Sequence, residues 1–164
     1  MRLFFSELTK ICEPRTIVSV CEGGKGLKHL EVVAAVLVNR GEVLCMQRGI
    51  SRYDYVSEKY EFPGGKVETG ESRPEALMRE LREEMDLDLN ISEADALTTV
   101  DYAYPDFRIT LHCFLVFTDT RSFIRREHIS HIWLPLERLH DLSWAPADEI
   151  VVDRLLDRGI RKPA

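Results

Sequence analysis

No stretch of this chain stays apolar for anything near the ~18–20 residues that a membrane-spanning helix needs, and no hydrophobic leader segment opens it. A cytoplasmic protein with no membrane partner is the expectation. Basic blocks are missing as well. The chain carries 22 Lys and Arg against 28 Asp and Glu, a net charge of −6, so a nucleic-acid polymer is not the expected partner. A small polyanion could still bind if metal ions neutralised its phosphates. Cysteine is sparse and unpatterned. Cys12, Cys21, Cys45 and Cys113 show no C-x-x-C spacing, and two of them fall in strand-like apolar runs, as reduced thiols do. Internal repeats and low-complexity tracts are also lacking, and nothing in the pattern specifies an oligomeric state.

What is present in these 164 residues reads as one α/β domain preceded by an extension over residues 1–29. Within the extension, Arg15 to Val20 resembles a short strand. Glu22 to Gly26 resembles a turn whose Gly-Gly-Lys-Gly lacks Walker spacing and any following helix. The domain then occupies 30–164. Leu30 to Val38 is a valine-rich run, the mark of a strand buried on both faces. Asn39-Arg40-Gly41 turns it into a returning strand, Glu42 to Arg48. A polar, tyrosine-bearing loop follows from Gly49 to Lys59, where Tyr53 and Tyr55 either flank a ligand or cover the core.

Further strands are expected over Leu97 to Tyr104, Arg108 to Phe117 and Ile132 to Pro135, then a short helix from Leu136 to Leu142. A last helix is opened by Pro146 and closed before Gly159. In the Arg108 strand, Ile109, Leu111, Cys113, Leu115 and Phe117 share one face, while Arg108, Thr110, His112 and Phe114 share the other. His112 is read first as a structural histidine.

Between these elements, Phe62-Pro63-Gly64-Gly65 leads into an acidic helix. Ser72 suits its N-cap, Glu75 completes a capping box, and Pro74 fits the first turn. Leu77, Met78, Leu81 and Met85 form a stripe within about 100° of arc. Glu80, Glu83 and Glu84 occupy a similar arc beside it. Like charges at i, i+4 destabilise an isolated helix by roughly 0.2–0.5 kcal/mol, so Glu80 and Glu84 require either full solvation or a cation. Mg²⁺ binds oxygen ligands shared between a few carboxylates and substrate phosphates. The alternative is a solvated acidic face with Arg79 and Glu83 as an ordinary ion pair.

The spacing Gly65, five residues, Glu71, seven residues, Arg79-Glu80-Leu81-x-Glu83-Glu84, then apolar Leu87, resembles the Nudix box of nucleoside-diphosphate-linked-moiety hydrolases. One departure is Asp86 where the family has a glycine, a position that serves the helix C-cap rather than the chemistry. The resemblance, to the MutT and CTP-pyrophosphohydrolase branch, covers roughly residues 30–158. It implies an α/β/α sandwich around a mixed sheet, and Mg²⁺-dependent (or Mn²⁺-dependent) hydrolysis of a nucleoside triphosphate to monophosphate and pyrophosphate.

The same resemblance assigns residues. Glu80, Glu83 and Glu84 would hold the metal, joined by the Gly64 carbonyl, with Glu83 or Glu84 doubling as base. Arg79 would orient a glutamate, while Gly65 and Glu71 would shape the loop. Glu127, six residues before Trp133, would be a further ligand or base. Arg48 would lie near the nucleotide, and Asp148, in Pro-Ala-Asp, would accept a hydrogen bond from a base amino group. The polar face bearing His112 would wall the base pocket. Oxidised or cytidine nucleotides lead as substrates. Nucleotide sugars or dinucleoside polyphosphates are the alternative, and a non-catalytic sensor comes third.

Overall fold

The computed structural model describes residues 27–161. The strand and turn expected between Arg15 and Gly26, with Cys12 and Cys21, lie outside the described residues. Seven strands form one mixed sheet: β1 (Lys28–Asn39), β2 (Glu42–Gln47), β3 (Tyr60–Glu61), β4 (Gly64–Lys66), β5 (Ala96–Ala103), β6 (Phe107–Phe117) and β7 (Ser130–Pro135). The order is β3-β2-β1-β6-β5, with β4 also on β1 and β7 on β2. β1 and β6 run parallel, from Lys28 opposite Phe107 to Val38 opposite Phe117. The other pairs are antiparallel. The β1–β2 hairpin turns through Arg40 and Gly41, both at positive φ (52° and 84°), the backbone that a tight two-residue hairpin requires.

Two helices, α1 (Arg73–Met85) and α2 (Pro146–Arg158), cover opposite faces of the sheet. Alternation along β1 makes both cores possible. Val33, Ala35 and Leu37 face α1, where Ala76, Leu77, Leu81 and Met85 meet them. Ala34, Val36 and Val38 face α2 and its Ala147, Val151, Val152 and Leu155. A strand buried on both sides explains the continuous valine run. Met78, expected in the buried stripe, is only partly covered at the edge of the α1 core. Where a short helix was expected after β7, the chain makes a tighter 3₁₀ segment, Leu136–Asp141.

Both ends of α1 are pinned. At the start, Ser72 and Glu75 form the reciprocal capping box. At the end, Asp86 adopts the left-handed region (φ 55°, ψ 33°), its N–H bonds back to the Arg82 carbonyl at 3.1 Å, and the Leu87 N–H reaches the Leu81 carbonyl at 3.2 Å. The loop before β7 satisfies the remaining helix carbonyls. Ile124 N–H bonds to Met85 O at 2.9 Å, Arg126 N–H to Glu84 O at 3.2 Å, and the Arg126 guanidinium to Glu83 O at 2.5 Å. Orphan carbonyls at a helix end need such partners, and meeting that need docks this loop against α1.

A residue with a β-carbon at the left-handed Asp86 position carries strain that glycine does not. Asp86→Gly should therefore stabilise the fold by about 0.5–1 kcal/mol after the entropy lost from the unfolded chain is subtracted. Urea denaturation of the two proteins measures this directly.

Candidate active site

A cleft of about 840 Å³ opens between the β1 face bearing Leu30, Val32 and Ala34, the Gly49–Val56 loop, the β3–β4 entry, the edge of α1 and the start of α2. Its polar lining includes Glu80, Glu84, Glu127, Glu61, His128, Arg48 and Asp148. Five of the expected site residues, Arg48, Glu80, Glu84, Glu127 and Asp148, thus share one cavity with Gly64 and Gly65.

The glycines set the close approach. A β-carbon on Gly64 would lie 2.0 Å from the Val33 carbonyl oxygen, and one on Gly65 would lie 2.3 Å from the Glu80 carboxyl carbon. Just beyond them, Arg79 is held by Glu71, Lys66 and Glu80. It donates to Glu71 through Nε (3.1 Å) and Nη2 (2.8 Å), to the Lys66 carbonyl (3.0 Å) and to Glu80 Oε1 (2.9 Å). Glu71 also accepts the Glu68 N–H at 2.7 Å, closing the loop that precedes α1. The pairing with Arg79 holds the Glu71 carboxyl below its ordinary range. Arg79 thereby ties loop, β4 and helix into one unit.

Glu83 departs from the arrangement read from the helix. It is 61% exposed and turns to Arg79 at 3.3 Å, outside the cleft lining. Arg79 Nη1 donates to both Glu80 and Glu83, so Glu83 takes the i, i+4 pair on the exposed side of the same guanidinium. Glu84 behaves oppositely. Burial first, then the neighbouring Glu127, Glu80 and Glu61, push its carboxyl up to about 8, and its Oε2 is buried without a hydrogen-bond partner. Among the described residues no group of three acidic, histidine or cysteine side chains already converges on one point. The residues nonetheless fit a divalent cation: a buried, unpartnered carboxylate oxygen beside a second carboxylate is repulsive without one and is an oxygen donor set for Mg²⁺.

At the other end of the cleft, Tyr60 N–H bonds to Ser143 O (2.9 Å) and Ala145 N–H to Tyr60 O (2.8 Å), fixing the start of α2 against β3. Asp148, in the first turn of α2, accepts the Phe62 N–H at 3.0 Å. Burial first and Glu61 second raise its carboxyl to about 8. At neutral pH it is largely a neutral acid, not the purely accepting carboxylate that its residue type suggested. Tyr104 and Phe107 meet nearby at a tilt, 4.9 Å apart, Tyr53 leans on Phe107 at 5.7 Å, and Tyr55 stacks behind on Tyr104 with its hydroxyl on Asp106.

The wall of this pocket is the apolar face of β6, Ile109 and Leu111, and not the face bearing His112. His112 lies on the α1 side, bonded to Thr99 (3.0 Å) and Glu31 (3.1 Å) beside a separate cavity of about 170 Å³. Alternation separates the two faces of a strand without saying which one looks into the cleft. Two lining residues went unread in the sequence: Glu61 accepts from Arg48 (2.7 Å) and from His128 (2.9 Å).

Because the Asp148 carboxyl titrates higher in the fold than in the unfolded chain, its contribution favours folding at low pH and is lost as pH rises toward about 8. Asp148→Asn keeps the acceptor for Phe62 and removes the ionisation. Its Tm should exceed that of the unaltered protein by a margin that grows from pH 5 to pH 8 and then levels off. A margin independent of pH in thermal melts contradicts the assignment.

Comparison with known proteins agrees with this geometry. The chain is 32% identical over 138 residues to the CTP pyrophosphohydrolase of Escherichia coli (strain K12), covering 84% of this chain and 99% of that one. It is 29% identical over 130 residues to the 8-oxo-dGTP diphosphatase of the same organism, covering 79% and 98%. The solution structure of the E. coli ORF135 protein superposes with a TM-score of 0.70 at 30% identity, covering 84% of this chain and 96% of that one. Residues 27–155 match the model of the NUDIX domain, and with the box, the sandwich and the acidic cleft all in place, the chain belongs to that family of hydrolases.

Proposed function

We propose that this chain hydrolyses a nucleoside triphosphate to monophosphate and pyrophosphate with Mg²⁺ (or Mn²⁺), and that cytidine nucleotides fit its base pocket best. The observation that carries the reading is one cleft joining two unlike ends. One end holds the unpartnered Glu84 oxygen with Glu127 and Glu80 nearby. The other is an apolar and aromatic pocket with a single buried acid, Asp148.

Glu80, Glu84 and Glu127, with the Gly64 carbonyl, would hold the cation, which when bound neutralises phosphate charge and polarises the phosphoryl oxygens. Glu84, whose buried Oε2 has no hydrogen-bond partner, would face the cation and could hold or orient an attacking water there. Arg79 would orient Glu80, and its Nη1 is shared with Glu83. Arg48 lines the cleft, where it would lie near the nucleotide. Tyr104 and Phe107 offer a face to the base, and Ile109 and Leu111 exclude water beside it.

Base selection follows from the protonation of Asp148. A neutral carboxylic acid donates through O–H and accepts through C=O, the complement of adjacent ring nitrogen and amino group on cytosine. An ionised carboxylate only accepts and suits the paired N–H donors of guanine or its oxidised form. The cytosine edge is therefore favoured below about pH 8.

Hydrolysis should be measured on canonical and oxidised triphosphates, nucleotide sugars and dinucleoside polyphosphates. Turnover should vanish in excess EDTA, and Glu84→Gln should lower kcat by at least about 10²-fold with unchanged circular dichroism. Full turnover in EDTA removes the metal from the reading. The ratio of kcat/KM for CTP to that for 8-oxo-dGTP should fall as pH rises through about 8. In Asp148→Asn, whose amide mimics the neutral acid, that ratio should lose its pH dependence. Asp148→Ala should cost roughly 5–150-fold in kcat/KM, the equivalent of one unsatisfied partner at about 1–3 kcal/mol.

A further inference from the structure

The residue that joins the two ends of the cleft is one that neither the box nor the base pocket includes. His128 is 7% exposed at its side chain, and its Nε2 lies 2.9 Å from Glu61 Oε1. The other oxygen of Glu61 is taken by Arg48 Nη1 at 2.7 Å. A carboxylate only accepts, so Nε2 must carry the proton that bonds to it. Glu61 is held from both sides and is itself only 17% exposed. Its chain position matters: Phe62, the next residue, supplies the N–H that Asp148 accepts. The chain position of His128 matters equally, because the residue before it is Glu127, the carboxylate beside Glu84.

The loop that carries this pair is anchored at both sides of it. Arg126 bonds to the Glu83 and Glu84 carbonyls, and Ile129 N–H bonds to Gln47 O at 3.0 Å. Those anchors fix the path of the backbone but leave two side chains to be aimed. We infer that His128 is a positioning residue: by locking onto Glu61 it sets both the Glu127 carboxylate at the metal end and the Arg48–Glu61 pair at the base end. Cation binding and nucleotide binding are thereby linked through one hydrogen bond.

The argument rests on the proposed function for its two ligands but not for the bond itself. Losing the imidazole leaves one oxygen of a mostly buried carboxylate without a donor, with Glu84 and Asp148 close enough to feel its charge. Glu61 must then swing or find a new partner, and Arg48 moves with it. Partners that orient a ligand from behind typically change affinity 10–100-fold when removed.

Two binding measurements and one spectrum test this on the full chain. Mn²⁺ affinity is read by titration without nucleotide, and cytidine monophosphate affinity is read in EDTA. His128→Ala should weaken each about 10-fold or more. His128→Gln, whose amide can still donate to Glu61, should recover both to within about 3-fold, which a role in packing alone would not produce. His140→Ala is the control. His140 is exposed and faces Asp153 at 3.3 Å on the outside of α2, so both affinities should stay put.

In the unaltered protein, ¹⁵N NMR of the His128 ring should show a proton on Nε2. A ring bare at Nε2, a His128→Ala protein that keeps either affinity within about twofold, or a glutamine variant as weak as the alanine one overturns the inference. If His128→Ala does not fold, the glutamine variant and the spectrum decide the matter. A protein that hydrolyses no triphosphate while showing both the Nε2 proton and the shared loss of affinity would overturn the proposed reaction and leave the tie standing.

Discussion

Two adjacent glycines, at positions a β-carbon would crowd, govern this molecule. At Gly64 the obstruction is the backbone of β1, and at Gly65 it is the carboxylate of Glu80. The first β-carbon would have to push a sheet pairing apart, and the second would have to turn the Glu80 carboxylate out of its place. The absence of both lets β4 lie against β1 while the acidic edge of α1 closes over it. The carboxylates carried on α1 inherit their positions from that contact. Arg79 then fastens the arrangement, because its guanidinium reaches the loop, the strand and the helix at once.

The electrostatics of the cleft work by crowding. Glu84 and Asp148 are acids of different chain segments, yet both are pushed up to about 8 by burial and by other carboxylates. Glu61 contributes to both shifts and so stands electrically between them. Arg48 and His128 bond to Glu61, and although Arg48 also acts on Asp148, burial outweighs it there, in a protein whose net charge is −6. Such a cleft gains most from a ligand that brings cations with it, as a nucleotide chelated to divalent metal does.

Much of this was legible beforehand. The capping box, the glycine pair and the spacing of Arg79, Glu80 and Glu84 are local, so a linear reading reaches them. Asp148 was legible as a position but not as a chemical species, since its proton depends on burial contributed by distant strands. Glu61 and His128 were illegible for a related reason: 67 residues separate them, and neither spacing nor periodicity marks the pair. For Glu83 a helical wheel gives direction only, so it left open whether this carboxylate points with Glu80 and Glu84 or pairs with Arg79 one turn back, as it does here. The polar face of β6 was misassigned because period-two alternation is symmetric between the sheet's two sides.

The parallel pairing of β1 with β6 bears on how the protein is made. Its partners, from Lys28 with Phe107 onward, lie roughly eighty residues apart in the chain. Local hairpins such as β1–β2 can form early, but the central pair must wait for the closure of a long loop, which is entropically slow. Until β6 arrives, α1 lacks Phe114 and Val116 beneath it, and the segment bearing Glu127 has not yet left the far end of β6. The acidic cluster is therefore completed among the last events of folding. A nascent or half-folded chain carries these glutamates apart and well solvated, and it acquires its appetite for a cation only once the nucleotide pocket beside them is built.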